Sequence, residues 1–292
     1  MISITPEVRL MFVINAASGN NSINYDEELT TCCKSRGLNN YTFIHLRKDA
    51  DFATLKERLL AAKPDRVIAV GGDGTIRLLA EILKGTPIAL GIIPGGSANG
   101  MAKELGIPLK VHDALEKAVS TEPRKIHLVS VNNKLCIHLS DIGFNAYVVK
   151  TFDKKGQRGM LGYLKAAWKV LWRHSRMKVV FSMNGRTVQR SAVMVVLANA
   201  TRYGTGVRIN PEGKLDDQLF EVVIVRKISL TELFKMSFTQ MKLNPEKTEV
   251  FQTNELLIKS RKRVHFQVDG EYEGKVNEIT ATLMPDALNV IY

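Results

Sequence analysis

Three cysteines in 292 residues are too few for a disulfide framework, and two of them, Cys32 and Cys33, are adjacent. Their spacing does not suit zinc, so they read as reduced thiols. Long apolar runs are missing too. No stretch approaches the roughly 18 residues of a spanning helix, and the N-terminus lacks a leader pattern. The expectation is a soluble, cytoplasmic protein. Internal repeats, low-complexity tracts and a long linker are also absent. No zinc finger or RNP-like motif accompanies the net charge of +12, which makes nucleic acid the weakest partner and leaves nucleotide phosphates or anionic lipid head groups. What is present, 45% hydrophobic and 24% charged residues, suffices to bury a core and suggests two domains.

The most specific stretch is Gly71-Gly72-Asp73-Gly74-Thr75. Arg66 to Val70 before it is a β-branched, apolar run that reads as a buried strand. Ile76 to Lys84 after it carries apolar residues at helical spacing and stops at Gly85-Thr86-Pro87. A glycine turn between buried strand and helix offers backbone N–H groups and a positive dipole end to phosphate. It is not a Walker A loop, since no lysine follows Gly74, nor a Rossmann fingerprint, since Arg77 stands where glycine is required. Asp73 either faces phosphate through a metal or caps the helix.

The pattern recurs. Ile88 to Ile93 leads into Pro94-Gly95-Gly96-Ser97-Ala98-Asn99-Gly100 and then Met101 to Leu105, and Leu10 to Ile14 leads into Asn15-Ala16-Ala17-Ser18-Gly19. In a parallel sheet all three turns fall at the carboxyl edge, where ligands bind. Helical stretches at Asp51 to Ala62 and His112 to Val119 complete an α/β domain over residues 1–126. From residue 127 onward hairpins take over. Ile126 to Val131 and Lys134 to Ser140 flank Asn132-Asn133. Lys178 to Met183 and Thr187 to Ala198 flank Asn184-Gly185-Arg186. Leu219 to Arg226 and Val264 to Val268 continue the series, the latter turning at Asp269-Gly270. Residues 127–292 therefore read as a β-sandwich, with the last residues a candidate for returning to the first domain.

These motifs, with Ile142-Gly143-Phe144-Asn145-Ala146, Lys214-Leu215-Asp216-Asp217 and Asp269-Gly270-Glu271-Tyr272, occur in one order over nearly the whole chain. In that order they resemble the diacylglycerol kinase catalytic family, which includes bacterial lipid kinases and sphingosine and ceramide kinases. The resemblance implies an α/β nucleotide-binding domain of the NAD kinase and diacylglycerol kinase type, a C-terminal β-sandwich, and a nucleotide cleft between them. It implies transfer of phosphate from ATP to a lipid hydroxyl, as in phospholipid biosynthesis.

The roles follow from the matching positions. Asn15, Gly71, Gly72, Asp73, Gly74, Thr75, Gly96, Ser97 and Asn99 would hold the nucleotide, with Asp73 also on the catalytic side. Glu271, in a hairpin turn, matches the family's proton acceptor, whereas Glu273 has no such match. Mg²⁺ would be bound by the Asp217 side chain and the main-chain carbonyls of Lys214 and Leu219, hard oxygen donors that suit it. A helix over Gly156 to His174 has Leu161, Leu164, Trp168, Leu171 and Trp172 on one face and basic residues around it. Packing on the sandwich is the favoured reading, and transient contact with an anionic membrane at the inner face is the alternative. A homodimer is compatible with the sequence.

The chain also departs from the family pattern. Arg77-Leu78 replaces Asn-Glu, Gly100 follows Asn99 where aspartate is common, His127 aligns with a catalytic aspartate, and Asn145 stands for another. Asp141 is the nearby carboxylate that could compensate. A kinase of a soluble hydroxyl compound and a non-catalytic nucleotide or lipid binder are the other two readings.

Overall fold

Leu10–Ile14 forms β1 with every position buried, because a strand covered on both faces has no polar side to show. The computed structural model describes residues 8–15, 23–47, 51–153, 176–183, 185–203, 207–208, 213–227 and 246–292. Residues 16–19 of the first turn and the basic helix expected over Gly156 to His174 lie outside the described residues. By internal packing the chain divides into two units, one of residues 1–126 with 286–292 and one of 127–285.

In the first unit β1 is followed by α1 (Tyr25–Ser35), β2 (Tyr41–His45), α2 (Phe52–Ala62), β3 (Arg66–Gly71), α3 (Asp73–Leu83), β4 (Ala89–Pro94), α4 (Gly100–Glu104) and α5 (Val111–Ser120). The strands pair in parallel in the order β2-β1-β3-β4. Helix starts are set locally: the Asp51 carboxylate accepts from Thr54 N at 2.8 Å and caps α2. Because the sheet is parallel, the turns after β1, β3 and β4 leave from the same edge.

The second unit runs through β5 (Arg124–Val131), β6 (Lys134–Cys136), β7 (Leu139–Gly143), α6 (Phe144–Asp153), β8 (Met177–Met183), β9 (Arg186–Ala192) and β10 (Met194–Ala198). It continues through β11 (Arg202–Tyr203), β12 (Val207–Arg208), β13 (Phe220–Val225), β14 (Thr248–Thr253), β15 (Glu255–Val268) and β16 (Glu271–Val290). An antiparallel ladder runs β14-β13-β10-β7-β15-β16, β8 and β9 continue from the first half of β15, and β5 joins β6 to β16. This is a β-sandwich whose core holds Val129, Phe181, Val195, Phe220, Phe266 and Ile279. The end of β16 leaves it: Val290 pairs with Leu90 of β4, Ile291 N donates to Leu90 O at 3.0 Å, and Gly85 N donates to Ala287 O at 2.8 Å.

Two expected strands are interrupted. Lys134 to Ser140 is split into β6 and β7, because the N–H groups of Ile137, His138 and Leu139 all point at the Asp269 carboxylate instead of a strand. Thr187 to Ala198 breaks between β9 and β10 at Val193, whose N–H donates to Val225 O and whose carbonyl accepts from Phe144 N.

Candidate functional site

Within the first unit, the β3 and β4 turns are one structure. Gly95 N donates to Gly71 O at 2.8 Å, and a Cβ on Gly96 would fall 2.5 Å from the Gly72 Cα. Only glycine allows that backbone approach. Asn99 sits in the left-handed region (φ +51°), a conformation its short amide tolerates, and brackets Gly96. Its Oδ1 accepts from Gly96 N at 2.9 Å and its Nδ2 donates to Gly96 O at 2.8 Å.

Asp73 supplies the strongest tie. Its two carboxylate oxygens accept from Gly100 N and Met101 N, each at 2.9 Å, across 27 and 28 residues of sequence. It thus caps a helix, but the start of α4 rather than its own. At α3 the N-cap is Gly72, with no side-chain cap; Thr75 N donates to the Gly72 carbonyl at 3.0 Å, which leaves the N–H groups of Asp73 and Gly74 to an anion. Asn15 comes in from the end of β1: its N–H donates to Val70 O, and its Nδ2 donates to the buried Thr75 Oγ1 at 3.1 Å. Gly74 and Ser97 are exposed. Asn15, Gly71, Gly72, Asp73, Gly74, Thr75, Gly96, Ser97 and Asn99 are therefore brought together.

In the second unit the Asp269-Gly270 turn joins β15 to β16, both residues at positive φ (+49° and +85°), the geometry of a two-residue hairpin. Glu271 is the first residue of β16 and stands at an exposed position. Three anchors hold the turn. The Asp269 carboxylate accepts from Ile137, His138 and Leu139 N at 2.9–3.0 Å. Asp269 N donates to Leu139 O, and Gly270 N donates to Gln267 Oε1 at 2.7 Å. Burial pushes the Asp269 carboxyl above its ordinary value, against the downward pull of those backbone N–H groups. Glu273 is committed elsewhere, to Lys134 at 2.8 Å.

Beside the turn, His265 Nδ1 and Tyr272 Oη are 2.7 Å apart, Tyr147 stacks on His265 at 4.5 Å, and Lys150 Nζ lies 5.2 Å from the Tyr272 ring centre. Burial raises the Tyr272 hydroxyl above its usual value. The 214–219 loop is tied to β5 by His127 N donating to Leu215 O at 2.8 Å. Within it, Gln218 is left-handed and Asp217 Oδ1 accepts from Leu219 N at 3.2 Å. An all-oxygen set of Asp217 with the Lys214 and Leu219 carbonyls fits a hard divalent cation in chemistry.

His127 is buried, as are Asp141 and Asn145, and Asn145 Nδ2 donates to Asp141 Oδ2 at 2.6 Å. Gln267, also buried, belongs to none of the sequence motifs. In Val264-His265-Phe266-Gln267-Val268 it falls on the polar phase of an alternating strand, so nothing local in the sequence marks it as buried.

Residues 9–131 match the family described as diacylglycerol kinase catalytic domain, and residues 140–292 the YegS C-terminal NAD kinase beta sandwich-like domain. The chain belongs to the diacylglycerol kinase family. It is 32% identical over 237 residues to the probable lipid kinase YegS-like of Chromohalobacter salexigens, covering 76% of this chain and 74% of that one. It is 25% identical over 223 residues to the diacylglycerol kinase of Bacillus subtilis, covering 72% of each. The fold matches the crystal structure of a diacylglycerol kinase from Bacillus anthracis (TM-score 0.74, 18% identity, 97% and 96% covered). It also matches that of an NAD kinase from Archaeoglobus fulgidus in complex with ATP (TM-score 0.55, 14% identity, 97% and 93% covered). Family membership makes the turns after β3 and β4 part of a kinase fold, and the Asp269-Gly270-Glu271 hairpin part of its β-sandwich.

Proposed function

We propose that this protein is an ATP- and Mg²⁺-dependent lipid kinase that phosphorylates a lipid hydroxyl of the diacylglycerol type, with Glu271 as general base. The observation that carries the nucleotide half is the Asp73 clasp, which holds two glycine turns at backbone contact beside the uncapped start of α3. Gly71 to Thr75, Gly96, Ser97, Asn99 and Asn15 would cradle the phosphates through backbone N–H groups and short polar side chains. Asp73, with both oxygens engaged by backbone, serves chiefly to hold that cradle. Asp217 and the carbonyls of Lys214 and Leu219 would hold Mg²⁺, which when bound neutralises phosphate charge. Glu271 would take the proton of the acceptor hydroxyl as its oxygen bonds to the γ-phosphorus and the bond to the bridging oxygen of ADP breaks. A net charge of +12 favours work at an anionic membrane surface at the cytoplasmic face.

The direct test is label transfer from γ-labelled ATP and Mg²⁺ into a detergent-dispersed lipid extract. A labelled lipid that vanishes with EDTA is the expected outcome and names the acceptor class. Label found only in water-soluble compounds would replace the lipid acceptor, and ATP binding without transfer would leave a binding protein.

Gly96→Ala tests the cradle separately. Its methyl would meet the Gly72 backbone at 2.5 Å, where no flexible side chain can give way. Overpacking of this kind forces a backbone shift, and turns moved apart no longer aim their N–H groups at one phosphate, so ATP affinity by calorimetric titration should fall about tenfold or more. Unchanged affinity would show that the two turns do not act together on the nucleotide.

A further inference from the structure

Asp141 is 1% exposed, and its carboxylate accepts from Asn145 Nδ2 at 2.6 Å, from Ala146 N at 2.8 Å and from Gln267 Nε2. Gln267 is equally buried, and its main-chain oxygen accepts from Ser140 Oγ at 2.7 Å, which holds the strand at that point. The other end of its amide, Oε1, accepts from Gly270 N at 2.7 Å. An ionised carboxylate only accepts, whereas an amide has a donor end and an acceptor end. With its donor end committed to Asp141, Gln267 must turn its acceptor end to Gly270.

We propose that Asp141 is a positioning residue. Its charge sets the direction of the Gln267 amide, which captures the Gly270 N–H and so aims Glu271 at the start of β16. A neutral amide at position 141 removes the preference. The Gln267 amide then has two orientations, and in one of them its NH₂ opposes the Gly270 N–H and the turn loses an anchor. The same carboxylate also captures Ala146 N in the first turn of α6, so one buried charge organises both the hairpin and that helix start.

The inference rests on Glu271 acting as base, and its test has one arm that does not. In Asp141→Asn, exchange of the Gly270 amide proton, read by NMR on the full chain, should accelerate about tenfold or more. In lipid-extract assays kcat should fall about tenfold or more while KM for ATP stays within about twofold, since misplacing a reacting group costs rate rather than nucleotide binding. Gln267→Met, which leaves Asp141 and Asn145 in place, should reproduce both effects, and the double variant should be no worse than either single one. Should Asp141→Asn fail to fold, Gln267→Met carries the same test. Unchanged Gly270 exchange in the variants that fold, a kcat loss without faster exchange, or additive losses in the double variant would each overturn the proposal. Failure of the base assignment is seen elsewhere, in Glu271→Gln turning over at the wild-type rate, and the exchange arm still tests the direction of the amide.

Discussion

Glu271→Gln is expected to lower kcat by about 10²–10⁴-fold, a barrier increase of about 3–5 kcal/mol, with ATP affinity and melting temperature unchanged. The separation of effects is what makes this informative. Glu271 stands at an exposed position at the start of β16, so losing its charge opens no cavity. The turns expected to hold the nucleotide are built from Gly71 to Thr75 and Gly95 to Asn99, in the other unit of the chain. Glu273 provides the control. It is two residues further on and paired with Lys134 at 2.8 Å, its side chain 16% exposed. Glu273→Gln should retain kcat and cost about 1 kcal/mol or less of stability. Equal kcat losses in the two variants, measured with the labelled-lipid assay, would remove the special role of Glu271.

The second large effect concerns folding. Asp269→Ala should lower stability by about 3–5 kcal/mol in chemical denaturation, because it strands three backbone N–H groups at the junction of β6 and β7. Against a typical total of about 5–15 kcal/mol, that is a large share. Asp269→Asn keeps one acceptor oxygen and should lose less. The two variants also separate charge from geometry. Since burial raises the Asp269 carboxyl in the folded chain, folding takes up protons there. Its contribution is fully present below the ordinary carboxylate range and is lost as pH rises through the raised folded value. Wild-type stability should show that decline, and Asp269→Asn should lack it. Identical pH profiles for the two proteins would contradict the shift.

Much of the local structure at the candidate site was legible because glycine-turn chemistry is local. Arg66 to Thr75 and Ile88 to Asn99 each carry strand, turn and helix start in about a dozen residues, and Asp269-Gly270 specifies a hairpin by itself. What was not legible is set by partners far away in sequence. Asp73 reads as a cap for the helix it begins, yet its acceptors are spent on Gly100 and Met101. Lys134 to Ser140 has the pattern of one strand, and no local signal reports that Asp269 will take the N–H groups in its middle. Gln267 gains its meaning only from Asp141, 126 residues earlier. Asn145 stands in place of an aspartate, and Asp141 is the nearby carboxylate in the sequence; what the sequence does not report is that Asp141, in β7, accepts from the Asn145 amide at 2.6 Å.

The pairing of Val290 with Leu90 has a consequence for biosynthesis. As the chain leaves the ribosome, the outer edge of β4 waits through roughly 200 further residues before its partner strand exists, about 10–40 s at usual elongation rates. During that interval Leu90 and Ile92 flank an open row of backbone groups, the kind of edge that recruits stray strands. A chain lacking residues 286–292 would keep the residues of both glycine turns and still lack the segment that pairs with β4. Its loss would therefore surface first as aggregation of the first unit.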